Sequence, residues 1–385
     1  MPKILMVKDK FYITGMGLMI ECRPITKNDF QVGDSFFDAE GNELILTGYP
    51  HVRYYDATLF GKKLFNDMLS IYFKPKTDIK TVKGRFLSTE SIPQKVNFIY
   101  AANPLDFEIP DEEYLNEYTA SNNTFDKMLF SYEELVYNHK LKINKVIPGI
   151  AIYRGWMLKP EQYEELYNLL AEKGIYLINS VKDYRRCHLF PNWYKYLEGK
   201  TSNSLFTESN NIDEAVELAK KFNGPIMIKD YVKSRKHEWN EACYIEDPKS
   251  DKAREVITNF VTRQADNFVG GIVLREFVDL VQIGNHEISK MPIYEEYRIF
   301  VLGGNIISII GYWGNSVDKL RKTDMEFIES IINYLGSNFY TIDVARKNSD
   351  DKLIVIEIGD GQVSGLQGFD EEDFYASINS SLNKK

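Results

Sequence analysis

Late in the chain two apolar strands, Phe339 to Ala345 (FYTIDVA) and Leu353 to Ile358 (LIVIEI), flank the polar turn Lys347 to Asp351, and each carries a single acid. If Lys347 pairs with Leu353, Asp343 falls directly opposite Glu357, with Cβ atoms on the order of 5 Å apart. Like charges facing each other destabilise a sheet, so something positive is expected between them. Oxygen ligands converging from a rigid hairpin suit magnesium, which takes one or two carboxylates and fills its other positions with phosphate oxygens and water. Asp360, in the turn Gly359-Asp360-Gly361-Gln362, would supply another oxygen. The plainer reading, a hairpin with solvent-facing acids, is weakened by the apolar neighbours on both sides.

A second feature is the stretch Pro225 to Lys236, PIMIKDYVKSRK. The break Asn223-Gly224-Pro225 followed by Ile226 to Ile228 reads as a buried strand entering a loop, which holds Lys229 at its end. Lys233, Arg235 and Lys236 crowd behind it, with Ser234 between. Such cations repel one another, and in a chain of net charge −9 a polyanion such as triphosphate explains them as well as a plain basic surface loop does.

The acidic balance also argues against non-specific nucleic-acid binding, which needs a basic phosphate-facing surface. A length of 385 residues allows two or three domains, and 44% apolar residues allow a sizeable core. Cys22, Cys187 and Cys243 are widely spaced, offer no disulfide framework or zinc site, and suit a reducing cytoplasm. No signal peptide or membrane span is legible, so the expected location is cytoplasmic.

From Lys10 to about Ser88, short alternating segments broken at Gly33-Asp34 and Glu40-Gly41-Asn42 point to a small antiparallel barrel over residues 1–90. Residues 91–200 then alternate strand and helix: Val96 to Tyr100, an acidic helix from Asp111, Lys145 to Ile152, Lys159 to Lys173, and Ile175 to Ile178. That alternation indicates a parallel sheet. Its YRGWML segment puts Arg154 and Trp156 at a strand's carboxyl end, where such sheets hold ligands. No local carboxylate is spaced to pair with Arg154, although Trp156 reads most simply as packing. Asp183 to Trp193 reads as a polar, aromatic connection whose Arg185, Arg186 and His188 would reach an anion, a lone histidine there being more often a surface group.

Residues 201–385 form the third expected domain. Asn211 to Phe222 is an amphipathic helix leading into the Lys229 strand. Gly270 to Val281 is an apolar strand interrupted by Arg275 and Glu276, a pair whose burial would need partners or a ligand at the edge. Glu295 to Ile310 is a hairpin turning at Gly303-Gly304-Asn305, with Arg298 on its first strand.

Together these features resemble the ATP-grasp superfamily, and YRGWML, KDYVKS, LREFV and EYRIFV are similar to its clade named for an arginine and two lysines. The resemblance runs from about Lys95 to the C-terminus. It implies an α+β fold in which two β-rich lobes clamp ATP after an α/β lobe, with Mg2+ on Asp343, Glu357 and Asp360. It further implies Lys229, Lys233 and Ser234 on phosphates, the hinge Arg275, Glu276, Phe277 and Val278 against adenine, and Arg298 on the transferring phosphoryl or substrate carboxylate. Arg154 would orient the acceptor. The chain departs from the family in lacking a glycine-rich flap, where Tyr231 to Arg235 stand instead, and in having Gly359 in place of an asparagine. The N-terminal region (FYITGMG, Val32-Gly33-Asp34) resembles the β-barrel second domain of translational GTPases, as a likeness of fold.

The activity implied is ATP-dependent carboxylate–amine ligation through an acyl phosphate, on a small-molecule or peptide substrate. The alternatives are a phosphotransferase using the same site, and a nucleotide-sensing binding protein that meets RNA or protein through its barrel.

Overall fold

The computed structural model describes residues 1–26, 29–49, 68–121, 124–285, 292–313, 320–332 and 334–383. At the N-terminus, β1 (Ile4–Ile13), β2 (Gly17–Pro24), β3 (Ser35–Phe37), β4 (Glu43–Gly48), β5 (Leu69–Pro75) and β6 (Phe86–Ser88) close a barrel in the order β1-β2-β5-β4-β3-β6. Alternation drives closure: Leu18, Ile20 and Cys22 meet Ile71 and Phe73 inside, while Met19 and Glu21 point outward. Gly17, at φ +101°, lies so near β5 that a Cβ would sit 2.6 Å from the Phe73 carbonyl oxygen, a place only glycine fits.

A parallel sheet follows, β10 (Ile175–Leu177), β9 (Gly149–Arg154), β7 (Asn97–Ala101) and β8 (Lys127–Phe130) in that spatial order. Helices α1 (Leu115–Ala120), α2 (Tyr132–Asn138) and α3 (Pro160–Ala171) join its strands, which are buried throughout, as continuous apolar runs in parallel sheets are. The expected connection from Asp183 to Trp193 is instead helical, α4 (Val181–His188) followed by α5 (Phe190–Leu197). A Ser180–Asp183 capping box starts the first and Pro191 sits in the opening turn of the second. The polar composition hid a buried face made of Tyr184, Cys187 and His188.

Two antiparallel sheets complete the chain. Lobe one orders β11 (Ser204–Phe206), β14 (Val273–Glu276), β12 (Ile226–Lys229) and β13 (Tyr244–Ile245) under α6 (Ile212–Ala219), α7 (Trp239–Ala242) and α8 (Asp251–Gln264). A hairpin, β15 (Gln282–Asn285) with β16 (Pro292–Tyr294), leads to lobe two. There β18 (Asn305–Gly311), β17 (Glu296–Leu302), β19 (Phe339–Arg346) and β20 (Leu353–Asp360) pair in that order, with α9 (Lys322–Ile332) and α10 (Glu371–Leu382). The expected β17–β18 hairpin turns at Gly303 and Gly304, both at positive φ.

A single apolar core joins three of these units. Ile4 and Met6 of the barrel, Phe98, Tyr100 and Ile152 of the parallel sheet, Phe300 and Phe339 of lobe two, and Phe374 and Ile378 of α10 all belong to it. Arg154 adds a polar clamp to the same junction. It is fully buried, with Nε and Nη2 on the Glu117 carboxylate at 2.7 and 2.6 Å and Nη1 on the carbonyls of Gly361, Gln362 and Ser364. Tyr375 donates to the same carboxylate at 2.8 Å. The counter-ion that local spacing did not provide thus comes from a different strand–helix unit, and Arg154 holds the parallel-sheet lobe to the segment after β20. Its donors are engaged there, which corrects the expectation that it orients an acceptor.

Removing Glu117 leaves that guanidinium buried without its partner. Glu117→Ala is expected to lower unfolding free energy by about 3–5 kcal/mol. Asp126→Ala, at the exposed Lys95–Asp126 pair, should cost less than about 1 kcal/mol. Urea unfolding of the two variants checks this, and equal effects would remove the clamp from the account.

Candidate active site

Lobes one and two face each other, and the charged residues singled out in the sequence meet between them. Lys229 ends β12, opposite Val273 of β14, and its Nζ crosses to Oε1 of Glu357 on β20 at 2.8 Å. Arg298 on β17 grips Asp343 on β19 with both arms, Nε–Oδ1 at 2.8 Å and Nη2–Oδ2 at 2.6 Å. Asp343 lies opposite Arg298 on one side and Glu357 on the other, so one row of the sheet carries Arg298, Asp343 and Glu357.

The facing of Asp343 and Glu357 comes about by a different route than a plain hairpin. At the turn Arg346, not Lys347, pairs with Leu353, which is one residue out of the expected register. An irregularity between Asp343 and Val344, where β20 carries the extra residue Ile356, restores it. The positive charge expected between the acids is supplied by side chains, Arg298 for Asp343 and Lys229 for Glu357. Burial opposes ionisation of Glu357, yet Lys229 beside it, with Lys236 and Arg275 further off, holds its carboxyl below the ordinary range. The Glu357 side chain still shows 42% of its surface.

The loop after Lys229 is shaped by a residue the sequence reading passed over. Asp230 is fully buried and its Oδ1 accepts the N–H groups of Val232 and Lys233, both at 2.6 Å. Its other oxygen accepts from Gln264 Nε2 and Val269 N–H. A Lys229↔Ser234 bridge closes the turn, which leaves Lys233 exposed beside the cleft. The pattern of an aspartate bonding backbone two and three residues on is an Asx-type turn, the signal that would have found it. Arg235 does not join the free cations, because it pairs with Glu238, which also binds Arg263.

Arg275, Glu276 and Asp360 are the other charged residues expected at the site. Arg275 and Glu276 alternate faces, so no buried pair forms and Glu276 is exposed. The Arg275 guanidinium lies over Phe190 and Trp193, donates to the Ile356 carbonyl and Thr201, and is brought down to about 10 by burial. It supports the strand that carries Glu357. Asp360 is three residues beyond Glu357 on a regular stretch of β20, hence on the opposite face, where Asn179 Nδ2 and the backbone and side-chain N–H groups of Gln362 hold it. Burial pushes it up to about 7 against those donors. Asp360 is therefore not brought together with Asp343 and Glu357.

At the hinge, Glu276 and Phe277 donate their N–H groups to the carbonyls of Asn203 and Pro225. Among the described residues this leaves the Val278 amide as the uncommitted hinge donor. Asp343 and Glu357 on adjacent strands fit a magnesium ion that takes its remaining oxygens from phosphate. Among the described residues no group of three or more His, Cys, Asp or Glu would hold a metal alone. A cavity of about 360 Å³ between the barrel and α3 and α4, lined by Arg23, Thr26, Tyr167 and Asn338, shares no residue with this cleft.

His188, read as a surface group, is buried at the end of α4 with its ring stacked on Tyr184 at 4.8 Å. It lies within electrostatic reach of Glu357, Lys229 and Lys233.

Residues 217–378 match the model of an ATP-grasp domain, family 3 of the clade named for its arginine and two lysines. Among solved structures, the chain is similar to a RimK domain protein ATP-grasp from Sphaerobacter thermophilus, at 12% identity over 74% of this chain and 99% of that one, TM-score 0.48. It is similar to the D-cycloserine synthetase DcsG at 12% identity, over 74% and 99%, TM-score 0.47. It also resembles the ATP-grasp ligase PsnB, complexed with minimal precursor, Mg and ADP, at 10% identity over 76% and 98%, TM-score 0.43. No curated protein matches the chain.

Burial lowers His188 from 6.5 to about 4, Lys229 and Lys233 adding to the effect and Glu357 opposing it. A histidine depressed on folding contributes stability that is full above its unfolded value and is lost as pH falls through its folded one. Going from pH 7 to pH 4 should therefore remove about 3 kcal/mol through this residue. Urea unfolding at both pH values should show His188→Gln losing that much less than the wild type. Matching acid losses would mean that the imidazole titrates alike in both states.

Proposed function

We propose that the chain is an ATP-dependent carboxylate–amine ligase, a reading supported by the match of residues 217–378 to the ATP-grasp model of the arginine-and-two-lysines clade. The observation that carries the reading is the meeting of Lys229 and Glu357 across the two lobes beside the Arg298–Asp343 pair. A carboxylate oxygen of the substrate attacks the γ-phosphorus, and ADP departs with the electrons of the broken P–O bond. The amine nitrogen then attacks the acyl carbon, losing a proton, and inorganic phosphate leaves with the oxygen that joined it.

Lys229 and Lys233 bind phosphate oxygens, with Ser234 beside them, and Asp230 fixes the turn that presents Lys233. Arg298 meets the transferring phosphoryl or the substrate carboxylate. Charge spreads over the phosphoryl oxygens as the bond breaks, and cations aimed there lower the barrier without reorganising. Asp343 and Glu357 would hold magnesium, which neutralises phosphate charge when bound. The Val278 amide and the carbonyls around it offer a purine edge its donors and acceptors.

Lys229→Ala and Asp343→Asn should each reduce ATP-dependent ADP release at least about 100-fold, roughly 3 kcal/mol of barrier, with circular dichroism unchanged. With cell extract as the carboxylate source, wild-type protein, ATP and hydroxylamine should yield a hydroxamate, since only an acyl phosphate is trapped in this way. ADP release with a phosphorylated hydroxyl product and no hydroxamate would overturn the ligase in favour of a phosphotransferase.

A further inference from the structure

On β17, two positions before Arg298 and so on the same face of the sheet, stands Glu296. The residue is 8% exposed, and the Trp313 indole N–H donates to its Oε2 at 3.2 Å. The other buried acids nearby have guanidinium partners: Glu295 and Asp324 share Arg346, and Asp343 has Arg298. Among the described residues no lysine or arginine comes within ion-pair distance of Glu296. Lys236, Arg298 and Asp343 act on it only through their fields.

A carboxylate buried with one neutral donor carries an uncompensated desolvation cost. Burial, with Asp343 adding to it and Lys236 opposing, pushes Glu296 up to about 7. Aromatic rings border it. Trp313, 45% exposed, packs on Tyr312 at 5.2 Å, and the Tyr312 ring already sits under the Arg298 guanidinium at 4.9 Å. A carboxylate beside aromatic faces attracts an organic cation, which gains a charge pair and ring contact at once. The same carboxylate repels the triphosphate and the carboxylate substrate. Rings are no ligands for magnesium, which takes oxygens in rigid octahedral geometry.

We propose that Glu296 and Trp313, with Tyr312 beside them, form the subsite that receives the cationic amino group of the acceptor, an inference that rests on the ligase reading above. Aliphatic amines are ammonium ions at neutral pH, so an acceptor of that class arrives as the partner Glu296 lacks. The strand spacing then sets the acceptor next to Arg298, where the acyl phosphate would form. Selection for a protonated aliphatic amine, over a neutral alcohol of the same shape, follows from the carboxylate.

The test reads binding without turnover. The chain has four tryptophans, and the Trp313 indole N–H resonance is identified by its loss in Trp313→Phe. Wild-type protein is titrated with 1,4-diaminobutane and, separately, with 1,4-butanediol. The diamine is expected to shift that resonance and to bind at least about tenfold more tightly than the diol, and Glu296→Gln to abolish the preference. Equal responses to the two probes, or a preference that survives in Glu296→Gln, would overturn the subsite. The wild-type comparison decides the matter even if the variant does not fold. Missing hydroxamate in the trapping experiment would instead remove the ligase chemistry and leave this binding result intact.

Discussion

The cleft depends on a single row of charges that the fold holds partly out of water. Arg298, Asp343 and Glu357 occupy three neighbouring strands at one level, and Lys229 reaches that level from the opposing lobe. Each charge would be expensive alone, and removing a partner from a buried pair commonly costs several kcal/mol. The row therefore persists as a unit, and the strands must keep the register that makes it. An irregularity beside Asp343 supplies that register, which gives the extra residue Ile356 a purpose that packing alone would not.

The remaining architecture keeps the row in place. Lobe two is joined to the barrel and the parallel sheet by one continuous core, and Arg154 ties the segment after β20 to Glu117. Lobe one has a largely separate core of its own, built from β12, β14, α6 and α8. Its links to the strand of Glu357 are both apolar and polar: Val273 of β14, with Phe206 and Tyr231 beside it, shares a cluster with Val355 and Ile358, while Lys229 bonds Glu357 and Arg275 the Ile356 carbonyl. Where Lys229 meets Glu357 the contact between the lobes is polar and exchangeable, which suits a site that, on the proposed function, would admit and release a charged ligand.

How far the sequence revealed this follows from where each signal lies. Strand patterns with glycine turns placed the barrel, the β17–β18 hairpin and the β19–β20 pair, because period and turn chemistry are local. The opposition of Asp343 and Glu357 was legible for the same reason, although the bulge that secures it was not. Arg154 was misread because its carboxylate lies 37 residues earlier in sequence, beyond any local rule. His188 was misread because its helix turns a polar-looking face, Tyr184, Cys187 and His188, inward, and the helix packs against β20. Asp360 carried the right chemistry on the wrong face, a difference of one strand position that decides everything about a side chain. Asp230 bore a readable Asx-turn pattern but was overshadowed by the lysines around it.

Pairing also indicates how such a cleft would, on the proposed function, accept a polyanion without first exposing bare charge. Lys229 and Glu357 satisfy each other, as do Arg298 and Asp343. A nucleotide accompanied by a divalent cation would offer the lysine an anion and the glutamate a cation together, so that partners exchange and neither charge is stranded. Glu296 departs from this rule, since the one hydrogen bond to its carboxylate comes from a neutral indole. Asp230 and Asp360, buried without a cation, each collect several neutral donors, whereas the Glu296 carboxylate has one, a local loss of stability of the kind that concentrates where a ligand completes the structure. The sign of the missing partner is then set by the carboxylate, and its organic character by the Trp313 indole beside it and the Tyr312 ring packed on that indole.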